Sequence, residues 1–185
     1  MAKVISIDEQ RKKNSPKVDL KKHGKSPLKD YSPQLIQLIE DFFKAQEWKH
    51  KPVDKYNTIR TGFSVDCKFR TVEAVINIEP QGLILHFIMP VGAGTDKEDQ
   101  RRVMEFLARA NYGLRRLCFE MDLKDGEIDL RASIFFSDGK LPSFNALDDL
   151  FARCTSITEI YGDAMIKVIY DIATPEEAIN EAEAD

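Results

Sequence analysis

The first chemistry that the sequence suggests is phosphate binding at a glycine loop. An apolar run over residues 83–91 leads to Gly92-Ala93-Gly94, and a charged amphipathic segment follows. A strand, a glycine loop and a helix in this order build many phosphate sites, because the first amides of the helix face the anion. The loop matches neither of the two common phosphate motifs, G-x-x-x-x-G-K and G-x-G-x-x-G.

The residues that follow the glycines also oppose an anion. Asp96, Glu98 and Asp99 fall in the first turn of the expected helix, where their charge would repel phosphate. Thr95 and Glu98 have the spacing of a capping box, in which two side chains bond the first amides of their own helix. We therefore interpret the glycines as a structural loop and predict that Thr95 caps the helix.

A second candidate is a cation site on an acidic sheet face. If the apolar residues of the strands face the core, six carboxylates fall on the other face: Asp66, Glu73, Glu79, Glu120, Asp122 and Asp129. Asp122 and Asp129 are expected to face each other, which destabilises a hairpin unless the charges are neutralised. A divalent cation would neutralise them, whereas a solvated face with Lys68 and Arg131 nearby needs no ion. We predict no metal-binding residue and keep small-ligand or divalent-metal sensing as the alternative function.

A third candidate is apolar and lies on the same outer face. Val75, Ile84, Ile88 and Phe135 fall at positions that a solvated sheet would give to polar residues. Either the chain covers this face itself, or the face binds a second subunit or a client protein. Because no remaining helix obviously covers the face, we predict that these four residues bind a partner.

Catalysis has no support from residue spacing. The three histidines are isolated in the sequence: His23, His50 and His86. No serine elbow, Cys–His arrangement or recognisable carboxylate pair is present. The three cysteines lack a C-x-x-C pair, which favours reduced, packed thiols in a cytoplasm. We predict a non-enzymatic cytoplasmic protein without catalytic residues or a cofactor.

The elements that must position these residues follow from hydrophobic periodicity. Period-two alternation predicts three strands joined by short links: residues 63–69, 72–79 and 83–89. Helical spacing predicts three helices: residues 32–48, residues 95–112 and a long helix that Ser143 begins. Thr174 and Pro175 begin a short acidic helix, which we expect to fray.

A hairpin between the second and third helices gives the clearest local pattern. Asp125-Gly126 is typical of a two-residue turn. Counting outward from this turn opposes Met121 to Leu130, Glu120 to Arg131 and Asp122 to Asp129. The order α-βββ-α-ββ-α predicts an α+β domain with helices on one face of an antiparallel sheet.

Charge divides the chain of 185 residues into unlike parts. Residues 1–30 carry nine Lys or Arg against four acids, a net of +5, so the overall −4 leaves −9 on residues 31–185. We predict a disordered basic tail over 1–30, a folded domain over 31–172 and an acidic helix or tail over 173–185. The acidic body is expected to repel nucleic acid, so only the tail would attract it. No apolar run approaches the roughly 18 residues of a membrane span.

A family resemblance is carried by LARANYGLRRLCFEMDLKDGEIDLRASIFF, residues 107–136, and by the long helix through IYGDAMIKVI. A turn with Asn111, a hairpin around Asp-Gly and a strand with Arg131 resemble the YbjN family of bacterial sensory transduction regulators. That family is similar in fold to type III secretion chaperones, which dimerise and bind extended segments of a partner. The resemblance implies regulation or chaperone-like protein binding and supplies no catalytic residue. We expect a YbjN-like module that binds a protein partner or a second copy, without a membrane.

Overall fold

The structure, a computed structural model, describes residues 29–136 and 139–184. Four helices lie in these residues: α1 (Ser32–Ala45), α2 (Lys97–Gly113), α3 (Phe144–Ile169) and α4 (Pro175–Ala182). The strands of the same residues are β1 (His50–Lys51), β2 (Thr58–Ser64), β3 (Thr71–Glu79), β4 (Gly82–Ile88), β5 (Leu117–Met121) and β6 (Ile128–Phe135). The predicted basic tail falls almost wholly outside the described residues.

The strands form one antiparallel sheet in the order β1-β2-β3-β4-β6-β5. The helices pack on one face of it. Phe151 of α3 contacts Phe42 of α1 and Phe63 of β2, and Tyr161 of α3 contacts Phe119 of β5. These rings belong to a continuous core between the helices and the sheet. The predicted α+β class with an antiparallel sheet is confirmed.

The first predicted strand is placed wrongly. Strand β2 ends at Ser64, and the alternating apolar residues that follow it form a turn that packs on α3. Val65 N–H donates to the carbonyl of Arg70 at 3.0 Å, and Arg70 has a φ of 61°. The alternation of buried and exposed residues therefore arises in a turn that is buried on one side, where it imitates a strand.

The hairpin register differs from the prediction by two residues. Met121 pairs with Ile128 and Glu120 with Asp129, so residues 122–127 form a longer loop. The side chain of Asp122 accepts the N–H of Lys124 at 2.9 Å, so the predicted pair of Asp122 with Asp129 does not form. A shift of two keeps every side chain on its predicted face.

The helix ends are capped by side chains. Asp96, and not Thr95 as predicted, caps α2 by accepting the N–H groups of Glu98 and Asp99. The sequence placed two capping residues next to each other, and the carboxylate is the one that lies beside the free amides. Ser143 caps α3 by accepting the N–H of Ala146 at 3.2 Å.

Helix α4 was predicted to fray, but the structure shows it capped and packed. Thr174 and Glu177 form a complete capping box, and Ala178 and Ile179 are buried in the core. The helix packs against α2 and α3. Its two inward residues supply the tertiary contacts that a helix of this length needs.

Candidate functional site

The outer face of the sheet carries the candidate site, because the helices pack on the opposite face. Register places Val75 of β3 beside His86 of β4, and His86 beside Arg131 of β6. All four residues predicted to bind a partner share this face: Val75, Ile84, Ile88 and Phe135. No described element covers it.

The four apolar residues differ in accessibility. Val75 is 7% exposed and lies beneath its neighbours, whereas Phe135 is 60% exposed. Ile84 and Ile88 are half-buried. The ring of Phe135 also covers Gly82 of the adjacent strand, since a Cβ at Gly82 would lie 2.5 Å from the Cδ1 atom of Phe135. Phe135 therefore shields the sheet backbone besides presenting apolar surface.

Charged side chains on the outer face neutralise one another in pairs. Arg60 bonds Glu73 at 3.2 Å, and Arg131 bonds Glu120 at 2.6 Å. These pairs reach across neighbouring strands, and their side chains are between 41% and 46% exposed. Each isolated pair therefore contributes little to stability. Each of these two pairs has a net charge of zero.

His86 and Asp129 form the most buried of the polar pairs described on this face. The Nδ1 atom of His86 contacts Oδ2 of Asp129, and the two side chains are 21% and 16% exposed. The sequence presented His86 as isolated, because Asp129 lies 43 positions away and only the pairing of β4 with β6 brings them together. This partner fixes the ring orientation of His86.

Two of the six predicted acidic residues lie elsewhere. Asp66 lies in the turn between β2 and β3, and Asp122 lies in the β5–β6 loop. Three of the others have the cationic or histidine partners described above. Within residues 29–136 and 139–184, no group of three His, Cys, Asp or Glu residues is arranged to hold a metal ion.

The thiol on the outer face is not activated. Cys118 Sγ lies 3.6 Å from a carboxylate oxygen of Glu120 and 3.9 Å from a guanidinium nitrogen of Arg131. Burial is the main influence on this group and raises the pKa of the Cys118 thiol. Because the thiolate is the nucleophile, a raised pKa lowers the reactivity of this cysteine at neutral pH.

The glycine loop has a packing role. Ala93 N–H donates to the carbonyl of Gly126 at 2.9 Å, and a Cβ at Gly92 would collide with that carbonyl oxygen. Gln100 of α2 also donates to the carbonyls of Gly94 and Leu123 at 2.7 and 3.2 Å. The glycines therefore allow the loop before α2 to touch the β5–β6 loop, with the first amides of α2 bonded to Asp96.

Asn111 has a structural role that residue chemistry alone missed. Its side-chain amide donates to the carbonyl of Phe119 at 2.9 Å, and its side-chain oxygen accepts the N–H of Phe119 at 2.7 Å. Asn111 thus occupies the hydrogen-bonding positions that a further strand would use beside β5. Only the family resemblance drew attention to Asn111 in the sequence, because a single asparagine near a helix end can have many roles.

The comparisons with known proteins give a structural neighbour and no family. No protein-family model matches the chain, and no curated protein matches it. The structure is similar to a solved structure described as the crystal structure of the ExsC–ExsE complex. The TM-score is 0.49 at 16% identity, over 71% of this chain and 93% of the other. The resemblance to the YbjN family stays a prediction. No described helix has the length and apolar character to span a bilayer.

Proposed function

We propose that the protein is a non-enzymatic protein-binding module, of regulatory or chaperone-like YbjN type, that acts in the cytoplasm. Its contact surface is the outer sheet face. The observation that carries this proposal is the combination of uncovered apolar side chains with charges that are already paired. Ile84, Ile88 and Phe135 supply the apolar part of that surface.

The size of the outer face suits a protein more than a small ligand. Six strands about 4.8 Å apart and roughly seven residues long cover roughly 24 by 23 Å. Two such faces would bury roughly 1,100 Å², which reaches the lower range of specific interfaces at about 1,000–1,200 Å².

The occupant that the charge distribution favours is a second copy of the chain. Residues 31–185 carry a net −9, so two copies repel each other over most of their surface. The outer face is less repulsive, because Arg60 and Arg131 offset the carboxylates of Glu73 and Glu120 beside them. A two-fold contact needs a self-complementary surface, and a face with both signs of charge and an apolar centre provides one.

The test is the oligomeric state of the full chain, measured by light scattering at several concentrations. We expect a dimer that Ile84→Asp and Phe135→Asp each convert to a monomer while the far-ultraviolet circular dichroism stays native. Ile172→Asp is the matched control, since Ile172 is 69% exposed on the α3–α4 connection. A wild-type monomer at about 100 μM, or a dimer that survives both variants, contradicts the proposal of a second copy on this face.

A cation site on this face is not favoured by the positions of its carboxylates. That alternative depended on unpaired carboxylates at Asp122 and Asp129, which the observed register separates. Glu73 bonds Arg60, Glu120 bonds Arg131, and Asp129 contacts His86.

A further inference from the structure

A groove on the helix side of the molecule is unrelated to the outer sheet face. It lies between the end of α2, the middle of α3 and the end of α4, with a cavity volume of about 760 Å³. Its floor is apolar and is formed by Leu114, Ile157, Ile160, Ala164 and Ala182. Ile160 is 45% exposed, although it lies in the middle of the longest helix. An exposed apolar floor of this kind is typical of a binding groove.

The rim of this groove is acidic. Glu159, Asp163, Glu181 and Glu183 line it, and no lysine, arginine or histidine is among its described lining residues. Lys167 pairs with Glu181 from outside the lining and offsets one of the four charges. The rim therefore has a net charge near −3, concentrated around an apolar floor.

The rim carboxylates are held in place by the fold. Glu159 accepts the N–H of Asp66 at 2.8 Å, and Asp163 accepts the N–H of Lys68 at 2.6 Å. Glu183 accepts the hydroxyl of Tyr161 at 2.7 Å. One oxygen of each of these carboxylates accepts the bond described. A fixed negative rim loses little side-chain entropy when it binds a positive segment.

We propose that the basic N-terminal segment around residues 11–17 of the same chain binds in this groove. The segment RKKNSPK has four cations and no acid, which complements the rim in sign and amount. The segment also belongs to the same chain, and a tether of this kind gives a local concentration on the order of millimolar. A free basic peptide would need that concentration in solution to compete.

The length of the connecting chain decides which lysines reach the groove. Tyr31 N–H donates to the carbonyl of Pro80 at 2.8 Å, so the described chain begins beside the β3–β4 turn. The groove adjoins the β2–β3 turn at the other end of β3, through Glu159 and Asp163. Nine strand residues span about 30 Å.

An extended chain covers up to about 3.5 Å per residue, so Lys25, four residues before Lys29, reaches only about 14 Å. Lys17 reaches about 40 Å by the same measure, and Lys12 and Lys13 reach further still. The middle lysines of the segment therefore meet the groove, and Lys25 does not.

Zero-length carbodiimide cross-linking of the full chain tests the proposal, with mass spectrometry of the linked peptides. A mixture of unlabelled and nitrogen-15-labelled protein separates bonds within a chain from bonds between chains. We expect amide bonds from Lys12, Lys13 or Lys17 to Glu181 or Glu183 within single chains, and none from Lys25. Their yield should fall at least about threefold between 0.05 and 0.5 M salt, because the contact is electrostatic.

A charge reversal supplies the matched control. Glu183→Lys should lower the remaining cross-links to the groove at least about threefold, whereas Glu127→Lys, in the β5–β6 loop, should leave them unchanged. The proposal is overturned if the tail lysines link equally to Glu127 and Glu105, if they form no links, or if the links join labelled to unlabelled chains. The last outcome would mean that the groove binds the basic segment of a second copy. None of these results bears on the outer sheet face.

Discussion

Glycines in two loops of this protein allow one backbone segment to lie in close contact with another. The loop before α2 and the β5–β6 loop meet at Gly92 and Gly126, where a Cβ would collide with a backbone atom of the other loop. Gly126 also has a φ of 79°, a conformation that strains other residues. The contact ties the start of α2 to the edge hairpin, and Gln100 reinforces it with two hydrogen bonds.

Gly92→Ala should destabilise the protein by about 2 kcal/mol or more, because the added methyl group meets the backbone carbonyl of Gly126 and cannot be relieved by a rotamer change. Gly62→Ala is the control, since a Cβ there lies 3.8 Å from the nearest heavy atom, the carbonyl oxygen of Val72. Urea unfolding of both variants measures the difference. Equal stabilities would show that the close approach at Gly92 is not a constraint.

Some residue roles were accessible from the sequence and others depended on the fold. The glycine loop was correctly assigned a structural role, because the acids after it oppose an anion. The cap moved from Thr95 to Asp96, a choice between adjacent residues that depends on local backbone geometry. The partner of His86 required the pairing of β4 with β6, which no local pattern specifies.

At the scale of elements, α3 contacts both the sheet and the β2–β3 turn. Its aromatic residues pack on the sheet, and its carboxylates Glu159 and Asp163 accept backbone N–H groups of the β2–β3 turn. Gly162 lies between these two acids, and a Cβ there would be 2.7 Å from Sγ of Cys67. The turn therefore rests on a small residue and is held by the acids on either side of it.

The capping box of α4 should make its docking sensitive to acid. The hydrogen bond from the backbone of Thr174 lowers the pKa of Glu177 below its usual 4.5. A carboxylate with a lowered pKa in the folded state stabilises the fold above about pH 4.5 and loses this effect as pH falls through the folded value. We expect Glu177→Gln to unfold at a lower temperature than wild type at pH 7 and at a similar temperature near pH 3. The same difference in unfolding temperature between the variant and wild type at both pH values would contradict this prediction.

Element types were predicted better than their limits. The helices were found because their apolar stripes are long, and β3 and β4 because alternation persists over seven to nine residues. Residues 65–69 alternate for a different reason, since they form a turn that packs on α3. The hairpin register failed because Gly126 serves a loop contact instead of a two-residue turn. Such contacts are tertiary and leave no periodic pattern.

At the scale of the whole molecule, charge is sorted by surface. The sheet face has paired charges and apolar residues, whereas the helix side carries the acidic groove. The paired charges of the sheet face arise because oppositely charged or hydrogen-bonding side chains lie on neighbouring strands. The acidic groove arises where α3 meets α4. The two proposed contacts therefore use different faces of the domain, and both can form at once.

The cysteines should report how the whole molecule opens. Burial raises the pKa of the Cys154 thiol to about 12, and its side chain is fully inaccessible. Cys118 is half-buried on an edge strand. We expect an aromatic disulfide reagent at pH 8 to modify Cys118 first and Cys154 only at the rate of global unfolding. Quantitative modification of Cys154 before any loss of the circular dichroism signal would contradict this prediction. Labelling of the protein unfolded in urea gives the total number of reactive cysteines.

Asn111 has a consequence for how the folded protein behaves at high concentration. A sheet with a bare edge strand is a template on which further strands can be deposited, and growth of this kind is the starting point of fibrous aggregates. With both backbone groups of Phe119 taken by one side chain, the β5 edge has no free position there at which a foreign strand would register. Extension of the sheet by a foreign strand is therefore blocked at this position of the β5 edge.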